Sequence, residues 1–201
     1  MESSFTLFLR LGIEHISDLK GYDHMLFITA LCAVYQFNQW KHLLWLVTAF
    51  TLGHSVTLAL ATLDLITING ELVEFLIPIT IVVTSLVNIV LELRGQHGRL
   101  AERRSEYAKY GLALGFGLIH GMGFSNFLRA MLGGEESIVG PLFAFNLGLE
   151  LGQILILAVV LLISTAMVRW VGLAQRDWSL LLSGGTAGAA LLMIVDAIGG
   201  V

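Results

Sequence analysis

Cysteine is nearly absent: Cys32 is the only one in 201 residues. That excludes a disulfide framework within the chain and a thiolate metal cluster, so a metal site here must use nitrogen and oxygen ligands, with methionine as the remaining soft donor. Charge is scarce as well. Only 13% of residues are Asp, Glu, Lys or Arg, 56% are hydrophobic and the mean hydropathy is +0.83, whereas soluble domains carry about a quarter charged residues. A bilayer is the solvent that this composition fits. Eleven basic residues and a net charge of −4 leave no clustered Lys/Arg face of the kind nucleic acid requires, so no nucleic-acid partner is expected. Residues 1–13 contain Glu2 and lack a basic segment ahead of the apolar stretch, so no cleaved signal peptide is expected. No segment resembles a nucleotide-binding loop.

Apolar windows of the length that crosses a hydrocarbon core fall near 21–37, 40–63, 71–93, 108–131, 139–168 and 178–198. They predict an all-α membrane protein, one polytopic transmembrane domain over 1–201 with about six spanning helices. Ahead of them, residues 3–17 carry Phe5, Phe8, Leu9, Leu11 and Ile16 interrupted by Arg10 and Glu14, the pattern of an interfacial amphipathic helix or a seventh span. Arg94, Arg99, Arg103, Arg104 and Lys109 in one loop, and Arg169 and Arg176 in another, set both loops on the cytoplasmic side. Both termini are then extracytoplasmic, with Arg10 and Lys20 as the opposing charges. Three windows precede the basic loop and three follow it, so the halves run in opposite directions, with little self-similarity beyond a glycine-histidine pair in each. Gly111/Gly115, Gly117/Gly121, Gly148/Gly152 and Gly184/Gly188 each place two glycines one turn apart, which predicts close helix packing. Pro78 predicts a kink in the third span.

An ionisable side chain at the bilayer centre costs about 2.5–3.5 kcal/mol on insertion scales, so such residues mark functional sites. Asp23 and His24 open the first window, His54 lies outward in the second, His120 just past the middle of the fourth and Glu150 in the outer half of the fifth. Under the topology above these five share one depth. His15, Glu74, Asn146 and Asp196 are further candidates. In the third window Glu74, Ser85, Asn88 and Glu92 recur at near-helical intervals and form a polar stripe that resembles a path. Several imidazoles beside carboxylates suit Ni, Zn, Cu or Fe, whereas Mg or Ca would favour oxygen alone. Asp23 is then either a ligand or the acceptor that fixes an imidazole tautomer. A lone transmembrane histidine can equally well bond to a neighbouring helix; it is the group at matching depth that points to a metal. His42 and His97, at loop edges, read as solvated.

Four blocks carry a resemblance. Gly21-Tyr-Asp-His-Met-Leu-Phe27, Phe50-Thr-Leu-Gly-His-Ser-Val-Thr-Leu58, Phe116-Gly-Leu-Ile-His-Gly-Met-Gly-Phe124 and Phe145-Asn-Leu-Gly-Leu-Glu-Leu-Gly-Gln153 resemble the HupE/UreJ family of hydrogenase and urease accessory membrane proteins. By motif match Asp23 and His24 correspond to the family's Asp-His pair, and His54, His120 and Glu150 sit in its later blocks. The resemblance implies permeation of nickel, or of cobalt, across a bacterial inner membrane in support of metalloenzyme maturation, with maturation proteins as partners. Typical nickel-permease members carry a His-Pro pair shortly before the Asp-His motif. Here His15 is followed by Ile16 and the gap to Asp23 is longer, so the likeness is to the family's second, divergent branch.

Three functional readings follow from these residues. The first is a metal permease rather than an enzyme, with lipid and a divalent ion as its partners and with an ion gradient, the membrane potential or a partner protein as its energy source. The second is an intramembrane zinc-dependent hydrolase in which Ser55, Ser125 or Glu150 assists a metal-activated water. The third is a metal-binding assembly or sensor protein without flux. Oligomeric state is not written in the sequence.

Overall fold

The computed structural model describes residues 3–66, 69–95, 104–132 and 137–199. His97, Arg99 and Arg103, for which the sequence predicts loop or topology roles, lie outside the described residues. All regular structure in the described residues is helical: α1 (Ser4–Ile16), α2 (Asp23–Cys32), α3 (Trp40–Thr62, preceded by a 3-10 turn at Phe37–Gln39), α4 (Gly70–Leu93), α5 (Arg104–Gly123), α6 (Ser125–Leu132), α7 (Val139–Arg169) and α8 (Gln175–Gly199). Among the described residues four stretches are long and apolar enough to cross a membrane: Phe37–Thr62, Gly70–Leu93, Val139–Arg169 and Gln175–Gly199. The chain is an all-α membrane protein.

Local chemistry sets several ends. The Ser3 hydroxyl accepts from the Thr6 amide and opens α1, and Asn69 does the same for Glu71 at the start of α4. Gly95, at a φ of 62°, turns the chain out of α4. Two of the apolar windows are interrupted. Within 21–37 the helix covers only Asp23–Cys32, about 15 Å of rise and half a hydrocarbon core. The window 108–131 is broken at Phe124 into α5 and α6. Between α1 and α2 the exposed segment Ser17-Asp-Leu-Lys-Gly-Tyr22 leaves the helix, because Asp18 turns back to accept from the Lys20 amide.

Polar side chains share an otherwise apolar interior, and large apolar side chains cover much of the outer surface. His54, Ser85, Ser179 and Ser183 are fully buried, while Leu155, Leu162, Leu191, Leu192 and Val195 are exposed on α7 and α8, where lipid is their solvent. The main pairings are α1 with α7, α3 with α5 and α4 with α8. Glycine makes the first two. A Cβ at Gly12 would collide with the Phe145 carbonyl, and one at Gly148 with the Leu9 carbonyl. Between α3 and α5, Gly53 faces the Leu114 carbonyl and Gly117 the Phe50 carbonyl, with Gly121 against the His54 carbonyl. The sequence pairs Gly117/Gly121 and Gly148/Gly152 thus form contacts, but Gly111/Gly115 and Gly184/Gly188 face open space; the expectation of close packing at those two pairs is corrected. Helix phase explains the difference, since a glycine pair narrows a helix on one face only and the sequence does not say which face meets a partner.

These contacts predict a sharp contrast among glycines. Gly117→Ala and Gly148→Ala should each destabilise the protein by about 1–3 kcal/mol through overpacking, whereas Gly184→Ala should be neutral or stabilising by up to about 1 kcal/mol. Thermal unfolding in one detergent measures this, and equal effects at all three positions would contradict the packing described.

Candidate metal centre

Four histidine rings from four helices converge where α1 ends and α2 begins. His24 lies in the first turn of α2, with ring centroids 4.8 Å from His15 of α1, 5.0 Å from His120 of α5 and 5.8 Å from His54 of α3. His15 and His54 are 6.0 Å apart. One ligand atom each of Asp23, His24 and His120 lie within 4.8 Å of one another. The residues that hold these side chains are dictated by packing. Gly53 and Gly117 bring the α3 and α5 backbones together just before His54 and His120, and Gly12 does so for α1 just before His15.

The hydrogen bonds fix which nitrogens are free. Asp23 Oδ1 lies 3.0 Å from His24 Nδ1; a carboxylate there accepts the Nδ1 proton and leaves the Nε2 lone pair of His24 exposed to the centre. The Thr80 hydroxyl donates its single proton to the Ile77 carbonyl at 2.7 Å. Its 3.1 Å contact with His120 Nε2 must therefore be donation from the imidazole, which leaves the lone pair on Nδ1. The nitrogens so assigned, His24 Nε2 and His120 Nδ1, have no hydrogen-bond partner although both are buried. His15 Nε2 and both ring nitrogens of His54 are buried without partners too. An unsatisfied buried polar atom costs about 1–3 kcal/mol. Each neutral ring has one lone-pair nitrogen, so these four histidines offer a cation at most four imidazole ligands, and neutral imidazoles oriented by a carboxylate and a hydroxyl suit a borderline transition metal.

Of the sequence candidates, Asp23, His24, His54, His120 and His15 come together. Glu150 and Asn146 instead belong to a polar seam between α3 and α7. Thr48 donates to Glu150 Oε1 at 2.8 Å, Thr51 to Gln153 Oε1 at 2.6 Å and Ser55 to Asn146 Oδ1 at 2.7 Å. Glu74 and Asp196 are exposed. The polar stripe of α4 is divided as well, because Ser85 bonds to Thr186 of α8 and Asn88 donates to the Ala30 carbonyl of α2. Sequence reasoning missed Thr80, whose one clue was a position two residues after Pro78 on a helix with a polar face.

Aromatic rings enclose the histidines on two sides. Phe50 and Phe27 lie 5.0 and 5.4 Å from His120, and Phe27 lies 6.0 Å from Phe116. Opposite them, Phe124 packs 3.9 Å from His15 and stacks on Phe145 at 5.3 Å.

Histidine tautomer assignment can be tested at the two orienting groups. Asp23→Asn and Thr80→Val should each lower affinity for a bound transition metal by about 10–100-fold, as loss of a ligand-orienting group typically does. Titration of the purified variants measures this; unchanged affinity in both would sink the assignment.

No curated protein and no solved structure matches the chain. A family model described as HupE / UreJ protein matches residues 1–196. The match runs through α1 with His15, through α2, α3 and α5 with the other histidines, and through nearly all of α8. The chain belongs to the HupE/UreJ family.

Proposed function

We propose that this protein is a permease for a divalent transition metal, nickel or cobalt, in a bacterial inner membrane. Asp23, His24, His54 and His120 are its ion-binding residues and His15 completes the chamber. The observation that carries the reading is the convergence of buried imidazole nitrogens that no protein group satisfies. Association of the HupE/UreJ family with nickel and cobalt accessory functions supports the choice of cargo. A supply of metal to metalloenzyme maturation proteins is the physiological role this implies. The basic residues Arg94, Lys109, Arg169 and Arg176 belong to the loops and helix ends assigned to the cytoplasm, and both termini are then extracytoplasmic.

In the hydrolase reading a metal-activated water is the nucleophile and a serine or Glu150 only assists; the two serines named for that part bond elsewhere. Ser55 donates to Asn146, and Ser125 to the Met122 carbonyl at 2.9 Å. Neither is bonded to an imidazole, so a Ser-His nucleophile of the usual kind finds no support. Glu150 is held by Thr48 on the seam between α3 and α7, a position suited to a cation on its way to or from the chamber.

The deciding experiment is elemental analysis of protein purified in mild detergent and offered Ni, Co, Cu, Zn and Fe, beside the double variant His54→Ala/His120→Ala. The expected result is one ion bound by the parent and none by the folded variant. Absence of metal from the parent with every ion would overturn the reading. In proteoliposomes the parent should then carry the bound ion inward and the variant should not; binding without flux would leave an assembly or sensor protein instead.

A further inference from the structure

The two halves of the chain repeat one another in three short patterns. Gly12-Ile-Glu-His15 matches Gly117-Leu-Ile-His120; Gly21 with Phe27 matches Gly121 with Phe127 at the same spacing; and Phe50-Thr-Leu-Gly53 matches Phe145-Asn-Leu-Gly148. In this register α1 to α4 correspond to α5 to α8, with a short helix, α2 or α6, second in each half. The contacts repeat with the sequence. Gly12 meets the Phe145 carbonyl and the Leu149 amide, and Gly117 meets the equivalent Phe50 carbonyl and His54 amide. Gly148 meets the Leu9 carbonyl and Ile13 amide, and Gly53 the equivalent Leu114 carbonyl and Leu118 amide.

Ring contacts follow the same correspondence, with His24 equivalent to Phe124. His120 with His24 at 5.0 Å becomes His15 with Phe124 at 3.9 Å; His120 with Phe50 at 5.0 Å becomes His15 with Phe145 at 5.8 Å; His24 with Phe50 at 6.2 Å becomes Phe124 with Phe145 at 5.3 Å. Equivalent helices run in opposite directions: Phe37 and Asn38 at the start of α3 line one cavity with Thr165 and Arg169 at the end of α7. The repeat is therefore inverted.

The ligands repeat only in part. His15 and His120 are equivalent, whereas Asp23, His24 and His54 correspond to Gly123, Phe124 and Leu149. The first half keeps three further polar groups that the second replaces with apolar residues or glycine. Direction along the helices places the two aromatic layers on opposite sides of the histidines. Phe50 lies one turn before His54 on α3 and Phe116 one turn before His120 on α5, toward the end of the bundle where these helices begin. Phe124 lies one turn beyond His120, toward the other end. Behind Phe27 and Phe116 is a cavity of about 80 Å³, also lined by Thr84, Asn88, Tyr35 and Lys109.

We propose that two aromatic layers on opposite sides of the histidines, whose members Phe50 and Phe145 are related by this inverted repeat, are the two gates of the histidine chamber. Phe27 and Phe50 close it toward the end where α3 begins, and Phe124 and Phe145 toward the end where α3 finishes. The proposal deepens the permease reading and rests on it for its biological meaning. Only Phe50 and Phe145 occupy equivalent places in the two halves; Phe27 is equivalent to Phe127 and Phe124 to His24, so the two gates are built from different contacts.

The test needs no metal. In a Cys32→Ala background, Thr80→Cys places a thiol beside His120, and a membrane-impermeant maleimide is applied to vesicles of either orientation. Phe27→Ala should raise labelling about tenfold from the side where α3 begins and leave the other side unchanged, and Phe124→Ala should do the reverse; tenfold corresponds to about 1.4 kcal/mol of lost aromatic packing. Phe50→Leu and Phe145→Leu, which keep apolar volume, should show the same sidedness more weakly and carry the test if the alanine variants misfold. Unchanged labelling, or one side responding to variants of both layers, would overturn the gates. Metal binding is read separately on the parent chain with Thr80 intact, so a parent that binds no metal refutes the permease reading without altering the labelling result.

Discussion

Backbone contact between helices is the constraint on which this structure turns. In lipid an apolar side chain gains nothing by leaving the solvent, so helices hold together only as far as they pack closely and satisfy polar groups between them. Gly12, Gly148, Gly53 and Gly117 remove the side chains that would keep α1 from α7 and α3 from α5. The consequence for the centre is direct. With the backbones in contact, His15, His54 and His120 project into one volume rather than into separate helix interfaces, and their rings meet His24 within 4.8 to 6.0 Å.

Polar groups inside the bundle then fall into three sets with different fates. Thr48, Thr51 and Ser55 are satisfied across the seam by Glu150, Gln153 and Asn146. Ser85 and Asn88 are satisfied by Thr186 and the Ala30 carbonyl. The histidine nitrogens are not satisfied. Other buried polar atoms, among them Thr62 Oγ1, Gln153 Nε2 and the hydroxyls of Ser164, Ser179 and Ser183, lack partners too; what sets the imidazole nitrogens apart is that they converge from four helices, where a cation could satisfy their lone pairs.

Much of this was legible from the residues. Apolar windows gave the ends of α3, α4, α7 and α8 to within a few residues, because long apolar helices have a strong length signal. Asp23, His24, His54 and His120 were legible because ionisable residues at matching depth are rare in a bilayer. Depth, however, is only one coordinate. Glu150, expected at the depth of the histidines, bonds to Thr48, nearly two turns before His54 on α3, because the direction a residue points around its helix decides its partner and one sequence does not state how neighbouring helices are rotated. The place of His15 was harder to read for a related reason: it precedes every twenty-residue window, and only the break at 17–22 brings the end of α1 beside the start of α2. Gly12 and Gly53 escaped notice because each contributes a single glycine to its interface and the partner glycine lies on another helix.

His15 and His120 each occupy the last turn of their helices, α1 and α5. A helix end of this polarity carries about half a negative elementary charge, so two such ends face the chamber. The start of α2 contributes a comparable positive charge, and Asp23 in its first turn outweighs it. The field inside is therefore negative even when every imidazole is neutral. A chamber of that sign repels oxyanions, so a metal arriving as an anionic complex would have to shed its anionic partners before it could enter.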